Sequence, residues 1–233
     1  MKVLVIAAHP DDEVLGCGGT IKRLAQEGHA ITIAILGEGI TSRHRTRNEA
    51  DGNLVSQLEQ CSHRVGKFLD ARRVLTRGIP DNRFDSLPLL EVVKIVEEII
   101  EEINPEVIFT HHGGDLNIDH MVVHRAVLTA SRCLPDQIIQ SVYTFEVPSS
   151  TEWAFQQFAP VFSPNFFIDI TETMEDKVRA MSMYESEERA FPHPRSPQSL
   201  EAIAKRWGSV VGCNRAEAFQ MVRRVCHIRE KCL

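Results

Sequence analysis

The 233-residue sequence predicts a single α/β domain with a Rossmann-like, mostly parallel sheet and helices on both faces. Three observations carry that expectation. Short apolar runs at residues 3–7, 30–36 and 107–110 have the length and β-branched content of strands buried on both sides. The longer segments between them repeat apolar residues at helical intervals. Two clusters rich in His and Asp each follow directly on an apolar run, at the strand edge where open α/β sheets bind ligands.

The elements follow in order. After the first strand and a His-Asp cluster, a glycine-rich turn at Gly16-Cys17-Gly18-Gly19 leads into a helix over residues 20–26, spaced by Ile21, Leu24 and Ala25 and stopped by Gly28. A second strand spans residues 30–36. Residues 37–48 are polar and carry Arg43, Arg45 and Arg47, the pattern of a loop. A helix through Leu54, Val55, Leu58 and Phe68 follows, then a short strand at 73–76 and a turn at Pro80-Asp81-Asn82-Arg83. Residues 89–103 show Val92, Val93, Val96, Ile99, Ile100 and Ile103 at helical spacing with a Glu-rich outer face, broken by Asn104-Pro105. A strand at 107–110 precedes a loop, and Asp119 is placed to N-cap a helix running to about Arg132. Beyond residue 140 the pattern loosens: strands at 142–147 and 166–170, helices at 174–184, 199–207 and 216–225, and a loop punctuated by Pro192, Pro194 and Pro197. With no repeat, low-complexity tract or linker, residues 1–233 read as one domain, with a regular core to about 135 and a less regular part from about 136.

Composition narrows the function. A net charge of −6 argues against a nucleic-acid partner, which needs a basic face. No apolar run approaches the roughly 18 residues that would span a bilayer. The amino terminus runs from six apolar residues into charged ones without a cleavage site, which points to a buried strand and a cytoplasmic protein. Cys17, Cys61, Cys133, Cys213, Cys226 and Cys232 form no Cys-x-x-Cys pair and read as reduced packing residues.

The chemistry lies in the two clusters. His9-Pro10-Asp11-Asp12-Glu13 offers an imidazole and three carboxylates in a turn stiffened by proline. Imidazole and carboxylate are good zinc ligands, and a neighbouring carboxylate off the metal can take a proton from water. The competing reading is that these acids only complement the dipole of the next helix. The second cluster runs His111-His112-Gly113-Gly114-Asp115-Leu116-Asn117-Ile118-Asp119-His120, with His124 one turn later. His120 and His124 share a helix face at i and i+4. One such His suits a structural role; four in fourteen residues point to metal.

Residues 8–13, Ala-His-Pro-Asp-Asp-Glu, resemble the signature of the PIG-L/LmbE-like de-N-acetylase family, and Asp119-His120 resembles its second metal motif, usually His-x-Asp-His. Pro80-Asp81-Asn82-Arg83-Phe84-Asp85 and Arg47-Asn48-Glu49 are similar to family positions, over a likeness running from about residue 2 to 132; the stretch from Phe191 to Ser196 is similar to some members only. The resemblance implies a zinc-dependent hydrolase that removes an acetyl group from the nitrogen of an amino sugar or sugar-containing small molecule. His9, Asp12 and His120 would hold one Zn2+ per chain, with a position open for water. Asp11 would be the general base. Arg47 is similar to a substrate-contacting arginine, and Asp81, Arg83, His193 and Arg195 are further candidate contacts, each equally suited to a structural role. Family members are often oligomers, so the resemblance allows a homo-oligomer, while the sequence itself does not specify the oligomeric state.

This sequence departs from the pattern at Asn117, where much of the family has a histidine that steadies the oxyanion. Asn can donate a hydrogen bond but supplies no charge. Asn117 itself, His124, His111 and His112 all remain candidates for that task, and His124 is also a possible fourth ligand. Three other functions compete. A dinucleotide site at Gly16-x-Gly18-Gly19 would start nine residues after the strand, behind the His-Asp cluster, with Glu38 to meet a ribose. A two-metal phosphoesterase would want more bridging carboxylates. A non-catalytic sugar- or metal-binding protein would have no need of Asp11.

Overall fold

The computed structural model describes residues 1–43, 45–49, 51–134 and 138–226, so Cys232 and the side chain of Asn48 lie outside the described residues. In chain order the elements are β1 (Lys2–Ala7), α1 (Asp12–Gln26), β2 (Ala30–Gly37), α2 (Gly52–Phe68), β3 (Arg73–Ile79), α3 (Leu89–Ile103), β4 (Val107–His111), α4 (Ile118–Ala130), β5 (Ser141–Phe145), β6 (Phe166–Asp169), α5 (Met174–Met183), α6 (Pro197–Val211) and β7 (Ala216–Arg224). They build one seven-stranded sheet in the order β3-β2-β1-β4-β5-β7-β6. The first five in that order are parallel, and β7 runs antiparallel between β5 and β6. The fold is thus the open, mostly parallel α/β sheet that the apolar runs predict.

Period-two alternation along β1 divides the core. Val3, Val5 and Ala7 face one apolar layer with residues of α1, α2, α5 and α6, while Leu4, Ile6 and Ala8 face another with α3 and α4. Burying each such Val, Leu or Ile contributes roughly 1.5–3 kcal/mol, which fixes the register of the central strand. The chain winds from β1 outward to β3, then crosses back to β4 on the other side of β1. The carboxyl ends of β1 and β4 therefore flank the point where the winding reverses, and both His clusters emerge there.

Three expectations change. The Gly16–Gly19 stretch is not a turn: α1 starts at Asp12 and passes through it with a kink at Cys17. The glycines let this helix press onto its neighbours. A Cβ on Gly16 would enter the Phe145 ring, and one on Gly19 would stand 2.9 Å from Ile170. Asp119 does not cap α4; Asn117 does, accepting from Asp119 N at 2.9 Å. Residues 216–225 are not a helix but contain β7, with Ala216, Glu217, Ala218 and Phe219 all buried. A strand covered on both faces shows no alternation, and its apolar residues mimic helical spacing. Glu217 is tolerated inside because Lys177 Nζ donates to it at 2.6 Å and the backbone N–H groups of Gly19 and Thr20 at 3.1 and 2.7 Å. Among the described residues the cysteines are free thiols, and no helix is long and apolar enough to cross a membrane.

Candidate active site

Two loops bring the polar residues together. The turn after β1 carries His9, Asp11 and Asp12; the loop after β4 and the start of α4 carry Asp115, Asn117, Asp119 and His120. His9, Asp12 and His120 are all buried, with one ligand atom each within 4.8 Å of one another. A second group, His9, Asp81 and Asp119, meets the same criterion and shares His9.

The hydrogen bonds sort these groups into roles. His9 Nε2 lies 2.9 Å from Asp119 Oδ2 and 3.2 Å from Asp81 Oδ1. A proton on Nε2 satisfies those carboxylates and turns Nδ1 toward Asp12, 3.3 Å away. This is the carboxylate–histidine pairing that orients a metal-binding imidazole. Asp119 also accepts from Asn82 N at 2.7 Å and Phe84 N at 3.0 Å, so it ties the turn after β3 to His9. His120 stands between two carboxylates, with Nε2 3.3 Å from Asp12 and Nδ1 3.1 Å from Asp115. Neither contact has hydrogen-bond geometry, which leaves both ring nitrogens buried without a partner among the described residues. Buried polar atoms are rarely left so. Two imidazoles and a carboxylate, one imidazole lacking partners, fit a divalent cation.

The electrostatics agree. Burial works against a charge on His120, but Asp12 and Asp115 outweigh it and raise its pKa to about 9. Burial likewise opposes charge on His9, and Asp119, Asp12 and Asp81 override it. Asp12 is held well below the carboxylate range: burial raises it, and His120 and His111 more than compensate. A field that draws protons onto two imidazoles also draws a cation. His111 is different. Burial and then His120 hold it well below its ordinary pKa, and Ala8 N donates to its Nε2 at 2.7 Å. It stacks on His120 with centroids 4.0 Å apart and braces that ring.

Asp11 has φ of 100°, a left-handed conformation that Asp adopts more readily than most residues but still at a cost. Such strain persists where surrounding contacts over-determine it. Glu13 Oε2 accepts from Asp11 N at 3.1 Å, and Arg195 Nη1 donates to Asp11 Oδ2 at 2.6 Å. Burial raises the Asp11 pKa, against the pull of Arg195. Glu13 is pushed to about 7, chiefly by burial, and Tyr184 donates to it at 2.7 Å.

A cavity of about 160 Å³ opens over this arrangement, and His9, Asp11, Asp12, Asp81, Asn117, His120 and Arg195 all line it. The remaining sequence candidates do not. Arg47 forks onto Glu38, with Nη2 2.6 Å from Oε2. Arg83 is exposed on the turn before Phe84. His193 packs edge-on against Trp153 and accepts from Arg195 N at 3.2 Å. His124 lies 2.9 Å from the His111 carbonyl through Nδ1, and its ring covers Gly113. His112 Nε2 lies 2.7 Å from the Pro160 carbonyl. Sequence reasoning missed Glu187, Ser149 and Ser150 in the lining and Asp115 behind His120. Asp115 accepts from Ser150 Oγ, from Thr151 Oγ1 at 2.6 Å and from Asn117 N at 2.8 Å. Burial opposes its charge, but His120 and these bonds bring its pKa to about 2. Its place in the His-rich loop was the one available signal; Glu187 and Ser149 arrive from distant loops without any.

The family model for GlcNAc-PI de-N-acetylase (PIG-L) matches residues 4–131, more than half of the chain. The chain belongs to the GlcNAc-PI de-N-acetylase family. Membership makes it a deacetylase, a hydrolytic amidase acting on an N-acetyl group. Among its relatives, the diacetylchitobiose deacetylase of Thermococcus kodakarensis is 28% identical over 95% of this chain and 83% of its own length. The probable N-acetyl-alpha-D-glucosaminyl L-malate deacetylase 2 of Bacillus cereus is 29% identical over 81% and 84%. Among solved structures, the N,N'-diacetylchitobiose deacetylase of Pyrococcus horikoshii superposes with a TM-score of 0.75 at 22% identity, covering 95% of this chain and 84% of that one. GalB, the 4-carboxy-2-hydroxymuconate hydratase of Pseudomonas putida KT2440, superposes at 0.74 and 20% identity over 98% and 99%. These superpositions establish the fold. The same fold is thus shared by proteins named as deacetylase and as hydratase.

Proposed function

We propose that this chain removes the acetyl group from an N-acetylglucosamine-type sugar or a small molecule carrying one, using a single zinc ion held by His9, Asp12 and His120. One observation carries the reading: a buried His-Asp-His set stands beside a strained carboxylate, Asp11, that points into the same cavity. Zinc bound there supplies a Lewis acid that polarises the amide carbonyl and acidifies water.

The chain's own groups do the rest. Arg195 holds Asp11 Oδ2, so Oδ1 is the oxygen placed to take the proton of the attacking water. Asp11 then returns that proton to the departing amine, base first and acid second. Asn117 spends its Oδ1 capping α4, which leaves its NH2 as the donor for the developing oxyanion. What favours Asn117 over His111, His112 and His124 is its place in the cavity wall. Ser42, Asp81, Asn82 and Arg195 add the hydrogen-bonding groups that a hydroxyl-rich substrate needs. The sugar assignment is supported by relatives named for diacetylchitobiose and N-acetylglucosaminyl malate.

The test combines metal content with amine release. The purified protein should hold one zinc per chain, release amine from N-acetylated sugars and lose that activity on chelation. Asp11→Asn should keep its zinc while kcat falls about 10²–10⁴-fold. Full turnover in that variant removes Asp11 from the role. Two metals per chain with phosphate-ester cleavage would establish the phosphoesterase reading, and zinc without amine release from any sugar would leave a binding protein.

A further inference from the structure

Asp11 does a job that its position in the chain does not favour. It is the N-cap residue of α1, and the Val14 and Leu15 N–H groups donate to its carbonyl at 3.0 and 2.9 Å. An aspartate at that place ordinarily has an extended backbone and turns its own carboxylate onto the unpaired N–H groups of the first helical turn. In this same chain Asp51, Asn117 and Ser196 do so at the starts of α2, α4 and α6, with φ of −67°, −75° and −71° and a side-chain oxygen accepting from the helix. Asp11 has φ of 100° and makes no side-chain capping bond. Its carboxylate leaves the helix and meets Arg195 at the cavity wall. The unused cap is a competing resting place for the base, so the turn needs something to keep Asp11 out of it.

Glu13 and Tyr184 supply that hold. Glu13 Oε2 accepts from Asp11 N at 3.1 Å, and Oε1 accepts from Tyr184 Oη at 2.7 Å. A bond to the Asp11 N–H fixes the peptide plane against which its φ is set. Glu13 and Tyr184 are each 1% exposed, so water cannot replace either partner of the carboxylate. Tyr184 is itself anchored. It follows α5 directly, its N–H donates to the Met181 carbonyl at 3.0 Å, and its ring belongs to the apolar layer that includes Leu58 and Met181. Its carbonyl accepts from Glu187 N at 2.8 Å, where the chain turns toward Arg195. Residues 184–195 thus hold the base twice, its backbone through Tyr184 and Glu13 and its carboxylate through Arg195.

We infer that Tyr184 is a positioning residue: through Glu13 it locks the backbone of Asp11 in the left-handed turn, which keeps the Asp11 carboxylate off the helix cap and in the cavity. The inference rests on the deacetylase reading above, in which Asp11 is the base. Neither Tyr184 nor Glu13 lines the cavity, so both act through Asp11. Loss of the Tyr184 hydroxyl strands a buried Glu13 oxygen. The Glu13 carboxylate then turns to another donor, the Asp11 N–H is released, and Asp11 drops back to the extended N-cap.

The test compares zinc-loaded, full-length Tyr184→Phe, Glu13→Met and Glu13→Gln with the wild type, using N-acetylglucosamine and diacetylchitobiose as probes. Tyr184→Phe keeps the ring and removes the hydroxyl. Its kcat should fall about 10- to 100-fold, as misplacing a reacting group by about 1 Å does, with KM and zinc content unchanged. Its crystal structure should show Asp11 at negative φ with the carboxylate on the first turn of α1. Glu13→Met removes both bonds and should lose as much; it carries the test if Tyr184→Phe does not fold. Glu13→Gln keeps an acceptor for Asp11 N and an NH2 for Tyr184 Oη, so it should keep the positive φ and lose less. In an Asp11→Asn background, Tyr184→Phe should cost nothing further, because the base it places is gone. A residue that only supports the fold gives another pattern: kcat stays intact while Tm falls, or kcat falls together with zinc content, or the loss persists in Asp11→Asn. Each of these overturns the inference, as does a Tyr184→Phe structure in which Asp11 stays left-handed. A wild type that releases no amine from any sugar counts against the deacetylase reading alone, and φ at position 11 in the variant structures still decides what Tyr184 holds.

Discussion

Asp119→Asn separates a structural carboxylate from one that serves the metal. The residue is fully buried and makes three contacts: Asn82 N at 2.7 Å, Phe84 N at 3.0 Å and His9 Nε2 at 2.9 Å. An amide keeps the shape but has one acceptor oxygen and an NH2. That oxygen can serve one of the two backbone donors; the NH2 must then face the other or the His9 ring. Losing one hydrogen bond to a charged acceptor costs about 1.5–3 kcal/mol. In a chain of this size that lowers Tm by roughly 3–12 °C. The loss of the carboxylate that fixes His9 should weaken zinc binding by about 10–100-fold. Both effects are measurable on one preparation, by thermal unfolding of the metal-free protein and by competition with a zinc chelator. If Tm falls as expected while zinc affinity stays at the wild-type value, Asp119 only anchors the turn after β3, and the assignment of His9 Nδ1 as the ligand nitrogen loses its support.

Three further outcomes follow from contacts around the site. Lys177→Met should cost about 3–5 kcal/mol, because it strands a buried Glu217 carboxylate that Lys177 Nζ meets at 2.6 Å; Lys177→Met with Glu217→Gln should recover most of it in urea unfolding. Glu146 is raised above its ordinary pKa of 4.5, mainly by burial and against the hydrogen bond from Trp207. Its folded pKa exceeds the unfolded one, so its contribution is fully present below 4.5 and is lost as pH rises through the raised folded value; Glu146→Gln should flatten that decline in melts taken as a function of pH. Arg195→Met releases Asp11 Oδ2 and should reduce kcat about 10²-fold with zinc content unchanged, as misplacement of a reacting group does; turnover at the wild-type rate would show that Asp11 needs no such brace.

The parts of the molecule legible in the sequence share a physical cause. β1, β2 and β4 are buried on both faces by covering helices, which leaves continuous apolar runs, and α3 shows its six buried residues at helical spacing because its other face meets water. His9, Asp11 and Asp12 are readable because they directly follow such a run, and His120 because it belongs to the His- and Asp-rich segment that begins at the end of β4. β7 was illegible for the opposite reason. Its first four residues are all buried, one of them is a glutamate, and the lysine that neutralises it comes from α5. Asp119 was misassigned because an Asp just before a helix usually caps it. Nothing local reveals that Asn117 takes that place and frees Asp119 to reach His9. Arg195 was among the sequence candidates, but its contact with Asp11 spans 184 positions.

The fold by itself does not choose the reaction, since a hydratase and deacetylases share it. Nor does the donor set, because two imidazoles and a carboxylate would suit several hydrolases. The selective element is the turn that joins them. Pro10 and the left-handed backbone at Asp11 turn two consecutive carboxylates in different directions, Asp12 toward His120 and Asp11 toward Arg195. In a regular helix or strand, neighbouring residues would also diverge, but neither would leave one carboxylate at the strand end beside His120 and the next beside Arg195, 184 positions from its partner. Strain at Asp11 is therefore the means by which one short turn supplies both a ligand and a base. Relaxing it is the sharpest probe of that division. Asp11→Gly removes the backbone cost, and Glu13 can still accept from the backbone N–H at that position. The variant should be as stable as the wild type or up to about 1 kcal/mol more so, hold zinc through His9, Asp12 and His120, and release almost no amine. A destabilised Asp11→Gly protein would mean that the Arg195 contact outweighs the strain, and the turn would then be a product of the ion pair and not a geometry set for catalysis.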